Sequence, residues 1–236
     1  MSADDWRRVS RHPELAADVI HVWRIRLNLP VAGRSSLSED ELRRAGRLRD
    51  EVKRAQFIAG RSAMRTRLGE YTGTRPRELQ LDYGPHGKPF LPNNALQFNF
   101  SNSGGMALLA VSSNREVGID IEYRDRKISV DSLATHIFTA GELTIFRRLP
   151  ESERHAALLA AWTRKEAYIK ALGRGFSLPL KSFPVAVPAD DEPAVLELCD
   201  SGNTPGNWKF VPLTAHPDYI ATLTAPGTDW TVRLFD

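Results

Sequence analysis

VGIDIEY, residues 117–123, alternates apolar and acidic side chains, whereas WTRKEAYIKALGRG, residues 162–175, repeats with a helical period. Successive side chains of a strand point to opposite faces, so Ile119 and Ile121 go to one side while Asp120 and Glu122 share the other. Two like charges ~4 Å apart repel by roughly 1 kcal/mol in water and about 4 kcal/mol at the effective dielectric of a protein surface. Such a pair favours a bound cation or proton. Hard oxygen ligands suit Mg²⁺, which takes one or two carboxylates and completes its shell with water and substrate phosphate. By itself the D-x-E pattern is a weak signal, because many antiparallel strands alternate apolar and polar residues.

The helical stretch adds specificity. Trp162, Glu166 and Lys170 stand four apart on one face, and Gly173 supplies a stop. In an isolated helix Glu166 and Lys170 would be an ordinary surface pair. Trp162, Ala167, Ile169 and Leu172 are apolar, however, so part of this helix is buried and its charged pair can line a cleft. Three carboxylates and a lysine make a phosphoryl-transfer centre.

Upstream, residues 21–27 read as a strand, and Ser38 with Glu41 forms a capping box that starts helices running, with a break, to Leu68. Gly84, Pro85, Gly87, Lys88 and Pro89 read as an exposed connection. Residues 97–100, 107–112 and 117–123 are strand candidates. Thr139 with Glu142 then repeats the capping signal before a helix over residues 155–172, and further strands are expected at 209–213, 219–224 and 230–235. The two parts share an order of cap, helices, Gly/Pro loop and strands. We therefore expect an α+β chain of two similar halves, residues 1–116 and 117–236, with the site at their junction and a monomeric state.

The 236 residues, 42% of them apolar, can bury a substantial core. No apolar run reaches the ~20 residues of a membrane span, and the opening residues lack a signal-peptide core, so a cytoplasmic protein is expected. Cys199 is the single cysteine, which excludes an internal disulfide and a multi-cysteine zinc site. A net charge of +3 is unevenly spread: Arg43, Arg44, Arg47, Arg49, Lys53, Arg54, Arg61, Arg65 and Arg67 crowd one stretch. That leaves open a nucleic-acid-binding module as an alternative, and the three carboxylates leave open another Mg²⁺-dependent phosphotransfer enzyme or a nuclease.

GKP (87–89), FNFSNSG (98–104), VGIDIE (117–122), FTAGE (138–142) and WTRKEAYIKALGRG match in kind, order and spacing a known family. The chain resembles the surfactin-type (Sfp-like) 4′-phosphopantetheinyl transferases. The resemblance implies a pseudo-duplicated fold, each half a small antiparallel sheet packed with helices. It also implies transfer of the phosphopantetheine of coenzyme A to a serine of an acyl or peptidyl carrier protein. Asp120, Glu122 and Glu166 match the family's Mg²⁺ ligands, with Glu166 or its water the proposed base; Lys165 and Lys170 match coenzyme-contacting lysines. Ser101 matches a residue near the coenzyme phosphates and Lys88 the lysine of the G-K-P loop, while Arg61 and Arg44 fall where the family binds the nucleotide end. One departure stands out: Asn102 occupies the place of the family's phosphate-contacting His, and a neutral amide can donate a hydrogen bond but supplies no charge.

Overall fold

In the computed structural model the described residues are 5–9, 14–28, 33–92, 96–187, 194–199 and 204–236. Strand β1 (Val19–Arg26) is followed by α1 (Glu39–Arg47) and α2 (Glu51–Thr72). The capping box is formed as expected: Ser38 accepts from the Glu41 amide while Glu41 accepts from the Ser38 amide. The expected break between the two helices falls at Asp50, which caps α2 by accepting from the Lys53 amide. The G-K-P segment is more ordered than a bare connection. It is the turn of a short hairpin, β2 (Asp82–Tyr83) and β3 (Pro89–Phe90), made possible by Gly87 at φ 81°.

β4 (Gln97–Ser103), β5 (Met106–Ser112) and β6 (Gly118–Tyr123) come next, then α3 (Val130–Ile137), α4 (Ala140–Arg148) and α5 (Glu151–Leu172). Helix α5 begins one turn before the expected start, directly after Pro150. Four strands close the chain: β7 (Ala194–Cys199), β8 (Pro205–Leu213), β9 (Tyr219–Pro226) and β10 (Thr231–Phe235). The Cys199 side chain lies outside the described residues.

Two four-stranded sheets result, in the orders β10-β1-β5-β4 and β6-β9-β8-β7. The second is antiparallel throughout; the first contains one parallel pair, β1 with β10. The C-terminal strand thus returns to the N-terminal sheet instead of completing the sheet of its own half, because Leu234 and Phe235 bury against Val22 and Trp23 on β1. One core lies between the sheets, with Val22, Leu108 and Ala110 facing Ile119, Ile121 and Leu223. A second gathers Met64 and Leu68 of α2 on Trp23, Leu109 and Val111. A third sets α5 and α3 around Tyr168, Phe183, Trp208 and Phe210.

Helix α5 lies directly on β6. A Cβ at Gly118 would stand 1.8 Å from the Ala167 carbonyl oxygen, so only glycine permits the approach. That contact brings the two segments quoted at the outset together.

Candidate active site

Strand β6 alternates as its sequence requires. Ile119 and Ile121 are buried in the core between the sheets, and Asp120 and Glu122 turn to the other face, where α5 crosses. Lys170 Nζ donates to Asp120 Oδ1 at 2.5 Å and to Ser101 Oγ at 2.8 Å, and the Ser101 hydroxyl donates to the same Asp120 oxygen at 2.8 Å. Asp120 Oδ2 is buried without a partner among the described residues. Glu122 is held on both oxygens: Ser103 Oγ donates to Oε2 at 2.9 Å, and the Arg126 guanidinium donates to Oε1.

Glu166 stands one turn before Lys170 on the same face of α5 and shares this electrostatic neighbourhood. Burial, then the Asp120 and Glu122 charges, push its pKa up, while Lys170 and Arg126 pull it down less strongly. Glu122 is raised for the same reasons, burial first and Asp120 second. The arrangement therefore gathers negative charge that two cations only partly neutralise.

What sets this geometry is the alternation of polar residues in FNFSNS. Asn99, Ser101 and Ser103 lie on one face of β4, at the edge of its sheet, and meet β6 at the edge of the other. Asn99 Oδ1 accepts from the Ile119 amide at 2.9 Å, and Ser103 Oγ accepts from the Tyr123 amide at 3.1 Å. Ser101 and Ser103 each donate to an acid of the pair. Side chains thus take up two edge amides of β6 and, with the same rungs, aim its carboxylates. Asn99, Ser103 and Arg126 were not singled out by sequence reasoning; the signal for the first two was the period-two polar spacing inside an otherwise aromatic strand.

Five residues expected to contact the coenzyme stand apart from the acids. Lys165 is fully buried: its ammonium donates to Glu142 Oε2 at 3.0 Å and to the carbonyls of Leu180 and Phe183 at 2.8 and 2.6 Å. Being next to Glu166 in sequence, it points about 100° away around the helix, which turns it from the cleft into the core. Lys88 donates to the Ala171 carbonyl at 2.7 Å, at the C-terminal end of α5, and burial pushes its pKa down to about 8. Arg44 and Arg61 flank Phe57 at 5.3 and 5.7 Å on α1 and α2. Arg61 also stands 3.9 Å from the buried Glu41, and burial lowers its pKa. Asn102 is exposed on the face of β4 opposite Ser101.

The remaining arginines of the basic cluster are largely matched by acids of the same helices: Arg54 with Glu51, Arg67 with Glu70, Arg43 with Asp40, and Arg65 buried on Glu41. Among the described residues no three His, Cys, Asp or Glu side chains form a ready-made metal-holding group. No described helix is long and apolar enough to cross a membrane.

Residues 116–224, which hold both acids of β6 and all of α5, match the family described as the 4′-phosphopantetheinyl transferase superfamily. The chain is 35% identical over 224 residues to the 4′-phosphopantetheinyl transferase HetI of Nostoc, covering 92% of this chain and 91% of that protein. It is 31% identical over 188 residues to the 4′-phosphopantetheinyl transferase Sfp of Bacillus subtilis, covering 72% and 82%. The AcpT transferase of Salmonella typhi is 35% identical over 123 residues, covering 52% and 60%. A likeness that runs nearly end to end, together with Ser101, Asp120, Glu122, Glu166 and Lys170 gathered where the two sheets meet, places the chain: it belongs to the 4′-phosphopantetheinyl transferase superfamily.

Proposed function

We propose that this enzyme transfers the 4′-phosphopantetheine group of coenzyme A to a serine hydroxyl of an acyl or peptidyl carrier protein. The serine oxygen bonds to the phosphorus bearing pantetheine, the pyrophosphate P–O bond breaks, and adenosine 3′,5′-bisphosphate leaves with the bridging oxygen. The observation that carries the reading is the convergence of Asp120, Glu122, Glu166 and Lys170 at the sheet junction in a chain of this family.

The unpartnered, buried Asp120 Oδ2 and the uncompensated charge around it fit a divalent cation, with Asp120, Glu122 and Glu166 as the residues that would hold Mg²⁺. When bound, Mg²⁺ supplies positive charge to the pyrophosphate oxygens as they take up negative charge. Glu166, whose raised pKa reflects burial, takes the serine proton directly or through a water. Lys170, anchored on Asp120 and Ser101 and partly exposed, presents its ammonium to phosphate oxygens. In this reading the N-terminal half, through Arg44 and Arg61, takes the nucleotide end. Lys88 and Lys165 leave the coenzyme set and act as structural clamps on α5. The enzyme is taken to be a cytoplasmic monomer.

The test is direct: mix the protein with coenzyme A, Mg²⁺ and a purified apo-carrier, and weigh the carrier by mass spectrometry. A gain of one phosphopantetheine unit is expected. An unchanged carrier mass with several acyl and peptidyl carriers would remove the proposal, and wild-type turnover by Asp120→Ala at limiting Mg²⁺ would remove the assignment of the acids.

A further inference from the structure

Asp120 and Glu122 are not equivalent in how they are occupied. Asp120 keeps Lys170 and Ser101 on Oδ1 and leaves the buried Oδ2 unpartnered, so a cation there would take no hydrogen bond from it. Both oxygens of Glu122 are engaged: Ser103 donates to Oε2 and Arg126 to Oε1. A divalent cation at Glu122 has to share the carboxylate with the one partner of its own sign, the Arg126 guanidinium.

The two partners differ in how firmly they are fixed. The Ser103 hydroxyl also accepts from the Tyr123 amide at 3.1 Å, which makes it a rung of the ladder joining the sheets. Arg126 sits in the turn after β6, with its amide on the Tyr123 carbonyl at 3.2 Å, and its side chain is 45% exposed. Its guanidinium also lies 5.9 Å from the centre of the Trp162 ring, on the stripe that carries Glu166 and Lys170. An arginine on an exposed turn, with an aromatic face beside it, can swing from the carboxylate at small cost; a serine inside the ladder cannot.

We propose that Arg126 is a resident counter-ion of Glu122, and that a divalent cation enters this site by exchange with it. Cation and guanidinium carry the same sign and compete for one carboxylate, so the cation's apparent affinity is reduced by the strength of the arginine contact. The released guanidinium stays at the mouth of the cleft, over Trp162, where a phosphate or carboxylate can take it up. This rests on the metal reading above and assigns a role to a residue outside the acids themselves.

The experiment is calorimetric titration of the purified, coenzyme-free protein with Mn²⁺, for wild type, Arg126→Ala and Asp120→Ala, with circular dichroism to verify folding. Arg126→Ala is expected to bind Mn²⁺ about two- to fivefold more tightly, the upper range for losing a partly exposed competing ion pair. Affinity equal to wild type within twofold, or weaker, overturns the exchange. Asp120→Ala separates the two readings. If it loses Mn²⁺ while Arg126→Ala matches wild type, the metal site stands and the exchange fails. If it binds Mn²⁺ as wild type does, the metal site itself fails and the exchange with it.

Discussion

Lys170 and Asp120 form an ion pair whose members are unequally buried, with side-chain exposures of 29% and 5%. Removing the lysine leaves a buried carboxylate with one serine hydroxyl on the engaged oxygen and nothing on the other. Breaking a buried pair from one side costs about 3–5 kcal/mol. Water reaching the partly exposed lysine position lowers this to about 2–3 kcal/mol for Lys170→Met. In a chain of this size that is a fall in Tm of roughly 4–12 °C. Asp120→Asn leaves the ammonium with a route to solvent and costs only about 1 kcal/mol. The double variant removes both charges and lands within about 1 kcal/mol of wild type, so the coupling energy is at least about 2 kcal/mol. Urea unfolding in EDTA, followed by circular dichroism for all four proteins, measures the cycle. Raising NaCl from ~0.1 to ~1 M should change the coupling little, because the contact is shielded from bulk ions. Additive single effects would show that the two side chains do not meet, and the reading of the cleft as a prearranged charge cluster would go with them.

Lys165→Met should destabilise by about 3–5 kcal/mol, since it leaves the buried Glu142 charge without its cation and two carbonyls without their donor; a Tm within about 2 °C of wild type would contradict the clamp. In Gly118→Ala the added methyl collides with the Ala167 carbonyl and pushes α5 off β6. Turnover should fall at least about tenfold with a stability loss of roughly 1–3 kcal/mol, read by carrier modification and thermal melting. Lys88 has a folded pKa near 8, below the ~10.4 of an unfolded lysine, so between those values the unfolded chain binds more protons and stability rises with pH through this group. Wild type should therefore gain on the order of 1–2 kcal/mol relative to Lys88→Met between about pH 7.5 and 9.5 in urea unfolding, and a constant difference would refute the shift. Carrier modification should slow as NaCl rises if acidic carriers are steered by the enzyme's net charge of +3, and a rate indifferent to salt would end that idea.

The local signals were legible because each is written in a few adjacent residues. Both capping boxes, the alternation of β6 and the single face formed by Trp162, Glu166 and Lys170 are short-range patterns. The structure follows them closely. What the sequence did not disclose depends on distant partners. Nothing in TVRLF says that it runs parallel to β1; that follows from buried Leu234 and Phe235 meeting Val22 and Trp23. Lys165 and Lys170 look alike as text, yet five positions is about 1.4 helical turns, which sends one ammonium into the core and the other into the cleft. Lys88 likewise resembles a loop lysine until α5 ends beside it and offers a carbonyl. Periodicity gives the face a side chain occupies, but which face is buried is settled by what packs there.

The ladder from β4 explains why the site lies at the seam of two sheets. An edge strand exposes amides that need partners, and β6 is the edge of its sheet. A second backbone in ladder register would satisfy them but would merge the sheets and fix β6 through main chain alone. Asn99 and Ser103 satisfy two of them from side chains instead, and Ser101 and Ser103 spend their hydroxyl hydrogens on Asp120 and Glu122. The groups that join the halves are therefore the groups that orient the acids, so loosening the seam and misaiming the carboxylates are one event. Replacing both serines by alanine should lower stability and turnover together, whereas restoring one hydroxyl as threonine should recover them together. A variant that lost turnover while keeping the full stability of the seam would separate the two roles and break this argument.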